Sequence, residues 1–433
     1  MIHLDPVPAS IMMSESQRPT VWQVIPSIPP RHTFLETSGL SHDPFITPVA
    51  EEELKSAEPQ PYLYSYFCPP PLVPTIEGQT TFQTLRMRRH TFVYGEPGDG
   101  KTTLRLALEA NCRTVLDHTL VVTYDLGEDI KRPLTWQEHA DRLAKALAID
   151  LFVQVAEQFN PLVLTPTSEQ VTALQQQFRL GGRHLQRLAR QILDQPSPNA
   201  QGGLSAYWPT IGKSSIRYVP SSNQLLDLIR QCLTPDPISS SPSNALDALQ
   251  KGLQAARVWN FSQVVVLVDG VDTRQRATED MMALIEPLLA DLARWESAGV
   301  YFKFFLPLDL QAIVAARVQT LHLPAGYFEA KIVWNDDALR ELLAQRFRAA
   351  GSHYVGFDAL AGEDLQGRLD ALIIQSAAGS PRRMLRVISS LIDEHVASPQ
   401  FASRFSAQDW ESTRTKAYRI WGDDLPSLSS IQP

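Results

Sequence analysis

The segment GEPGDGKT, residues 95–102, places three glycines beside a lysine and a threonine. Its spacing is G-x-x-x-x-G-K-[ST], in which the glycines let the backbone curl until successive N–H groups point at one anion. The lysine and the hydroxyl side chain stand at the start of a predicted helix, whose N-terminus carries partial positive charge. These features are typical of a loop that binds the phosphates of a nucleotide.

The residues of this loop have distinct predicted roles. We expect Lys101 to reach the β- and γ-phosphate oxygens and the Thr102 hydroxyl to ligate Mg²⁺. The predicted nucleotide-binding residues of the loop are Gly95, Glu96, Pro97, Gly98, Asp99, Gly100, Lys101, Thr102 and Thr103. The alternative is a glycine-rich turn with a solvated lysine. The flanks disfavour it, because residues 90–94 have the composition of a buried strand and residues 103–110 that of a helix.

A second apolar segment ends in acidic residues. Residues 264–268 (VVVLV) predict a strand buried on both faces of a parallel sheet. Asp269 follows directly and is the predicted acid of the metal site, together with Thr102; its alternative is a loop carboxylate after a core strand. Asp272 lies where it could orient the attacking water, although Asp-Gly-Val-Asp is equally typical of a turn. The predicted catalytic residues are Lys101, Asp269 and Asp272.

A third segment, GSPRR at residues 379–383, predicts a helix that begins at a proline. Pro381 would occupy the first turn, which places Arg382 and Arg383 beside a helix N-terminus. Cations are unfavourable there unless an anion lies nearby, and a phosphate would be such an anion. The alternative is that these arginines pair with nearby carboxylates or face water.

Composition limits the classes of function. The net charge of −8 and the pI near 5.7 disfavour broad binding to nucleic acid or anionic membrane. Three scattered cysteines predict neither a disulfide framework nor a metal site, and no apolar run is long enough to span a bilayer. These features, with no signal peptide visible at the N-terminus, predict a soluble, cytoplasmic protein.

Changes in composition divide the chain into five predicted regions. They are a flexible Pro-rich tail (1–42), a leader that packs on the core (43–75), a nucleotide domain (76–330) with an insertion of helices and loops (150–245), a helical lid (331–396), and a C-terminal helix and tail (397–433). The leader carries an aromatic cluster, YLYSYF at residues 62–67, for which we expect a packing role. The alternative is that Tyr64 or Phe67 stacks on adenine or docks a partner.

Taken together, the GEPGDGKT loop, the VVVLVDGVD strand and the Gly-Ser-Pro-Arg lid resemble the STAND and AAA+ branch of P-loop NTPases. The chain is similar in particular to a group of largely uncharacterised bacterial ATP-binding proteins related to the replication-initiator ATPases. The resemblance covers roughly residues 43–396. It implies an α/β P-loop NTPase fold, a parallel sheet flanked by helices, with a C-terminal helical lid and a Pro-rich N-terminal extension. It also implies that Pro381 lies near the adenine, that Arg382 senses the γ-phosphate, and that ATP and Mg²⁺ are the cofactors.

The resemblance predicts a regulatory switch, in which a bound nucleotide closes the lid and so controls an effector protein or a homo-oligomer. ATP hydrolysis is expected for this class, but Gly270 stands where an adjacent acidic pair is usual. One alternative is a DNA-associated AAA+ ATPase, of the initiator-like or transposition-accessory kind. Residues 331–433 disfavour it, because they contain 12 Lys and Arg against 13 Asp and Glu. The other alternative is a nucleotide-binding scaffold that does not hydrolyse ATP.

Overall fold

A computed structural model of the chain describes residues 30–46, 50, 53, 62–74, 81–114, 118–127, 129–159, 165–194, 203–204, 219–220, 222–234, 244–273, 276–321, 323, 326–397, 404–422 and 424–430. Most of the predicted tail and parts of the leader and the insertion lie outside these residues. Among the described residues, no helix is both long and apolar enough to cross a membrane.

Six strands form one sheet that is parallel except at one edge. They are β1 (Leu72–Pro74), β2 (His90–Gly95), β3 (Thr119–Asp125), β4 (Gln263–Asp269), β5 (Val300–Pro307) and β6 (Tyr327–Ile332). Their order across the sheet is β1-β6-β2-β5-β4-β3, and only β1 runs antiparallel to its neighbour. Strands β2 and β4 are buried along their whole length, as the composition of residues 90–94 and the apolar run at residues 264–268 predict.

Fifteen helices surround the sheet in the described part of the chain. They are α1 (Pro30–Thr37), α2 (Tyr62–Tyr66), α3 (Lys101–Thr114), α4 (Trp136–Glu157), α5 (Ser168–Leu180), α6 (Gly182–Leu193), α7 (Asn223–Leu233), α8 (Ala245–Val258), α9 (Thr278–Ala290), α10 (Leu292–Ser297), α11 (Gln311–Gln319), α12 (Asp336–Ala349), α13 (Leu369–Ala377), α14 (Pro381–Ala397) and α15 (Ala407–Trp421). A two-stranded ribbon of Gly203–Leu204 and Val219–Pro220 lies between α6 and α7.

The two faces of the sheet belong to different apolar clusters, because alternate residues of a strand point to opposite faces. Phe92 and Val266 point to the face covered by helices α4 to α9. Val93 and Val265 point to the other face, where they share a cluster with α3 and with lid helices α12 to α14. Helices α12 to α14, which form the predicted lid and are called the lid below, are therefore packed onto the core through a continuous apolar cluster.

The N-terminal region contains more structure than the composition predicts. The flexible tail was expected to extend to residue 42, but helix α1 lies within it and packs on lid helix α14. Arg31 donates to Asp393 Oδ1 and to the Ser389 carbonyl, each at 2.8 Å, and Phe34 is buried. These contacts to residues more than 350 positions away stabilise a segment whose own sequence shows no helical period.

Two helix boundaries also differ from the predicted ones. The pattern of residues 135–147 predicts one amphipathic helix, but α4 continues to Glu157 and takes the first residues of the predicted insertion into the core. Residues 148–156 are buried on all sides of the helix, so no amphipathic period marks them. The sequence of residues 279–295 predicts a single helix, but the structure divides it at Asp291 into α9 and α10.

Candidate nucleotide-binding site

The glycine loop connects the carboxyl end of β2 with the N-terminus of α3. Gly98 and Gly100 have φ values of +104° and +89°, a region that glycine enters without steric cost. The Gly100 carbonyl accepts the first helical hydrogen bond, from Leu104 N–H. Among the described residues, none accepts a hydrogen bond from the N–H of Gly100, Lys101 or Thr102. The loop therefore presents adjacent backbone donors at the positive end of a helix, which is the arrangement that binds phosphate.

The Lys101 side chain is buried, and its ammonium group has three protein partners, although a lysine at this position of the loop is predicted to contact phosphate. Its side chain is 7% exposed, and Nζ donates to the carbonyls of Gly95 at 2.9 Å and Glu96 at 3.2 Å. Nζ also forms an ion pair with Asp272 Oδ2 at 3.0 Å. The geometry thus brings together Lys101, predicted to bind the β- and γ-phosphates, and Asp272, predicted to orient the attacking water. Their pairing occupies the ammonium group that a phosphate would bind.

The acidic residue inside the loop has a structural role. Asp99 Oδ2 accepts a hydrogen bond from Glu96 N–H at 2.6 Å, and the Asp99 carbonyl accepts one from Trp334 Nε1 at 2.9 Å. Burial raises the pKa of the Asp99 carboxyl group above its usual value. Because Trp334 precedes lid helix α12, its indole links the lid directly to the phosphate-binding loop.

The predicted acid of the metal site, Asp269, lies at the carboxyl end of β4 and is 6% exposed. Both of its oxygens are engaged: Oδ2 accepts from Arg105 Nε at 3.1 Å, and Oδ1 accepts from Gly270 N–H at 2.8 Å. Arg105 also pairs with Glu109, which in turn pairs with Arg113. Asp269 is thus one end of a buried series of alternating charges, which continues along α3 with Arg105, Glu109 and Arg113. No local pattern in the sequence indicates this series.

Gly270 replaces the second acid of the usual motif for a steric reason. Its φ is +79°, and a Cβ atom at this position would lie 2.3 Å from Asp125 Oδ1. Asp125 ends β3 and pairs in register with Asp269. A side chain at residue 270 would therefore require both a strained backbone and a displaced Asp125.

Arg276, in the loop that follows β4, binds backbone carbonyls. Its guanidinium donates to the carbonyls of Leu126 and Gly127, each at 2.7 Å, and of Ile130 at 2.6 Å. It also donates to the Val271 carbonyl at 3.0 Å. These bonds connect the loop after β3 to the loop after β4. The loop after β4 carries Asp272 and Thr273, which we call the acidic edge of the site.

The lid meets the glycine loop at Gly98. A Cβ atom on Gly98 would lie 3.0 Å from Ser380 Oγ and 3.1 Å from the Cβ atom of Arg382. Helix α14 begins at Pro381, as predicted, so the N-termini of α3 and α14 converge on the same loop. Arg382 is exposed and borders the cavity described next. The positive ends of two helices and two basic side chains therefore lie around one space.

This space is a cavity of about 500 Å³, within the size range of sites for small ligands. Its wall has three parts. The loop and acidic edge contribute Pro97, Gly98, Gly100, Lys101, Thr102, Thr103, Asp272 and Thr273; the lid contributes Trp334, Leu342, Arg346, Pro381, Arg382 and Leu385; the leader contributes Ala50, Glu53, Leu63, Tyr66, Phe67, Cys68 and Pro70. We call the part formed by the loop and the acidic edge the charged end, because it is rich in charge and backbone donors. The part formed by the leader and the neighbouring lid residues is mainly apolar and aromatic, and we call it the apolar end.

The leader contacts the lid at the apolar end. Arg346 of α12 pairs with Glu53 at 2.6 Å, with both side chains 7% exposed, and its guanidinium lies 4.6 Å from the centre of the Tyr66 ring. Burial raises the pKa of Glu53, and the charge of Arg346 opposes this rise. Of the aromatic residues singled out in the sequence, Phe67 lines the cavity, whereas Tyr64 packs beside Leu63 and Leu106.

The residues present suit Mg²⁺ only in combination with phosphate oxygens. Among the described residues, no group of three His, Cys, Asp or Glu side chains is placed to hold a metal ion. Thr102 and Asp272 both line the charged end of the cavity and offer a hydroxyl and a carboxylate. Mg²⁺ in nucleotide sites typically takes one or two such protein ligands with the phosphates and water. This part of the site therefore fits a magnesium–nucleotide complex.

The architecture confirms the predicted fold class. A mostly parallel sheet carries a glycine loop between the buried strand β2 and the N-terminus of helix α3. Acidic residues follow β4 at the same edge of the sheet, and helices cover both faces. This is the α/β fold of a P-loop NTPase.

No protein-family model matches the chain, and no curated protein matches it. Two solved structures share limited similarity with it. The Aeropyrum pernix ORC1 protein in complex with DNA is 13% identical with a TM-score of 0.34, over 79% of this chain and 61% of that chain. The Aeropyrum pernix ORC2 protein, in ADPNP–ADP complexes, is 12% identical with a TM-score of 0.34, over 79% of this chain and 63% of that chain. The matched region thus spans less than two thirds of both known structures.

Proposed function

We propose that the chain is an ATP-binding regulatory switch of the STAND and AAA+ type, in which the bound nucleotide sets the position of the lid. The observation that supports this function best is the cavity shared by three regions. The phosphate-binding loop, lid helix α14 and the leader all line it. A ligand in this cavity contacts all three regions at once, so its affinity depends on how they are arranged.

The charged end of the cavity suits the phosphates. The loop presents backbone donors, and Lys101 and Arg382 supply positive charge. Arg382 is carried by the lid, so a γ-phosphate that it contacts favours the closed arrangement. Loss of that phosphate removes the contact, so the closed lid is favoured less when the diphosphate is bound than when the triphosphate is bound.

The apolar end of the cavity suits the base. Pro381 and Leu385 of the lid and Phe67 of the leader all line the cavity, and apolar walls of this kind accommodate a purine ring. We propose adenine, because the sequence lacks the Asn-Lys-x-Asp motif that reads guanine. The cofactors proposed on this basis are ATP and Mg²⁺.

Hydrolysis is the proposed reaction of this site. The Thr102 hydroxyl would help to hold Mg²⁺, which when bound with the nucleotide would reduce the negative charge on the phosphates. Lys101 would hold the β- and γ-phosphates, and Asp272 would orient the attacking water once its bond to Lys101 is exchanged. A chain that binds ATP without turnover would instead be a nucleotide-dependent scaffold.

The test is a titration of the purified chain with a fluorescent ATP analogue and Mg²⁺. We expect saturable binding that Lys101→Ala weakens at least about tenfold, corresponding to about 1.4 kcal/mol. Lys145→Ala is the matched control, because Lys145 is an exposed lysine paired only with Asp141 on α4. Absence of saturable binding to the unaltered chain would refute the proposed function.

The output of the switch is proposed to be an effector protein or a nucleotide-dependent homo-oligomer. Light scattering after size-exclusion chromatography, with and without ATP and Mg²⁺, should show a change in mass if the chain itself assembles. A DNA-associated ATPase would instead bind DNA with an affinity that falls steeply as salt rises. Such binding would replace the effector-protein proposal.

A further inference from the structure

The two carboxylates that follow β4 occupy different environments. The side chain of Asp269 is 9% exposed and is not among those that line the cavity, whereas the side chain of Asp272 is 25% exposed and lines it beside Lys101. The usual assignment of the metal-site acid follows position in the motif and selects Asp269. The environments of the two side chains favour the opposite choice.

Asp269 already neutralises a buried cation. Arg105 is 2% exposed, and its Nε donates to Asp269 Oδ2 at 3.1 Å. The other oxygen of Asp269 accepts from Gly270 N–H, so a ligand that recruited Asp269 would compete with one of these two bonds. Weakening a buried ion pair is costly, because its ions have lost their hydration, and Arg105 would then depend on its other partners, such as Glu109.

Asp272 is in the opposite situation, because its partner is the residue that the phosphates attract. The pair between Asp272 Oδ2 and Lys101 Nζ, 3.0 Å apart, lies at the border of the cavity. When Lys101 turns toward a triphosphate, Asp272 loses this cation and faces added negative charge. A divalent cation supplied with the nucleotide restores the balance.

We propose that Asp272, and not Asp269, is the carboxylate that faces the Mg²⁺ of the bound nucleotide, and that its pair with Lys101 makes nucleotide binding depend on Mg²⁺. This assignment rests on the proposed function, since it needs a triphosphate in the cavity. Asp269 is then a positioning residue that holds Arg105 and the end of β4. In the absence of Mg²⁺, Asp272 competes with the phosphates for the same ammonium group.

Substitution by asparagine separates the two roles, because it removes the charge and keeps the shape. Binding of a fluorescent ATP analogue is measured with Mg²⁺ and with EDTA for the unaltered chain, Asp272→Asn and Asp269→Asn. Asp129→Asn is the control, since Asp129 is exposed in the loop after β3 and does not line the cavity. We expect the unaltered chain and Asp129→Asn to bind at least about tenfold more tightly with Mg²⁺ than with EDTA.

For Asp272→Asn we expect tighter binding in EDTA than for the unaltered chain and little or no further gain from Mg²⁺. For Asp269→Asn we expect the Mg²⁺ gain to persist, together with a lower melting temperature without nucleotide than that of Asp272→Asn. Asp272→Asn that keeps the full Mg²⁺ gain overturns the proposal. A folded Asp269→Asn that loses the gain also overturns it. If the unaltered chain binds no nucleotide under either condition, the proposed function itself fails, which is a separate result.

Discussion

Replacing Gly98 by alanine should loosen the lid before any nucleotide binds. The added methyl group would lie 3.0 Å from Ser380 Oγ and 3.1 Å from the Arg382 Cβ atom, and the φ of +104° would be strained for alanine. Gly100→Ala is a matched control. Its φ of +89° is also strained, but its nearest neighbour outside the loop backbone is the Thr103 Cβ atom at 3.9 Å. Both variants strain the loop, and only the first one pushes on the lid.

The two effects can be estimated separately. A left-handed backbone costs a residue with a Cβ atom about 1–2 kcal/mol, and this cost applies to both variants. Overpacking by one methyl group typically costs about 1–3 kcal/mol and applies only to Gly98→Ala. Gly98→Ala should therefore lower the free energy of unfolding by about 2–5 kcal/mol, and Gly100→Ala by about 1–2 kcal/mol. Part of the larger cost is relieved if the lid moves away.

Hydrogen exchange of the chain without nucleotide measures that movement directly. The N–H groups of Arg383 and Met384 bond to Ser380 in the first turn of α14, so their exchange reports how firmly this turn is held. We expect faster exchange at these positions in Gly98→Ala and unchanged exchange in Gly100→Ala. Equal acceleration in both variants, or none in Gly98→Ala, would show that the lid does not rest on the glycine loop.

Two further predictions concern the lid. Trp334→Phe leaves the buried Asp99 carbonyl without its donor and should weaken both folding, by about 1–3 kcal/mol in chemical denaturation, and ATP binding. Trp410→Phe, which loses a similar bond to the Pro426 carbonyl, should weaken folding only. Burial and the nearby Asp358 raise the pKa of Asp370 from 3.8 to about 6, so its ionisation is disfavoured in the folded state. Stability should therefore fall as pH rises from about 4 to about 6, by about 3 kcal/mol from this group, and Asp370→Asn should lack this fall when melting is measured across that range.

Features that depend only on neighbouring residues could be predicted from the sequence. The glycine loop with its flanking strand and helix, and the apolar strand before Asp269, are encoded within short segments. Strand β6 was missed because Glu329 and Lys331 interrupt its apolar character, and its pairing with β2 decides its conformation. The start of the lid helix at Pro381 was predicted from the proline alone.

Contacts between distant segments were beyond the sequence. The Arg105–Asp269 pair joins residues 164 positions apart, and the Arg346–Glu53 pair joins residues 293 positions apart. Each of these side chains is ordinary in its local sequence and becomes informative only through its burial and its partner. For this reason the position of Asp269 in the motif suggested a free metal ligand, whereas its surroundings show a carboxylate already committed to an arginine.

The order of the strands sets the width of the site. Strand β5 lies between β2, which leads into the glycine loop, and β4, which leads to the acidic residues. Neighbouring strands are about 4.8 Å apart, so this one intervening strand separates the two outer ones by about 10 Å. Direct pairing of β2 with β4 would halve that width and leave too little room for a phosphate group and a hydrated cation side by side. Strand β5, whose buried side chains are apolar apart from Lys303, thus works as a spacer between the two functional strands.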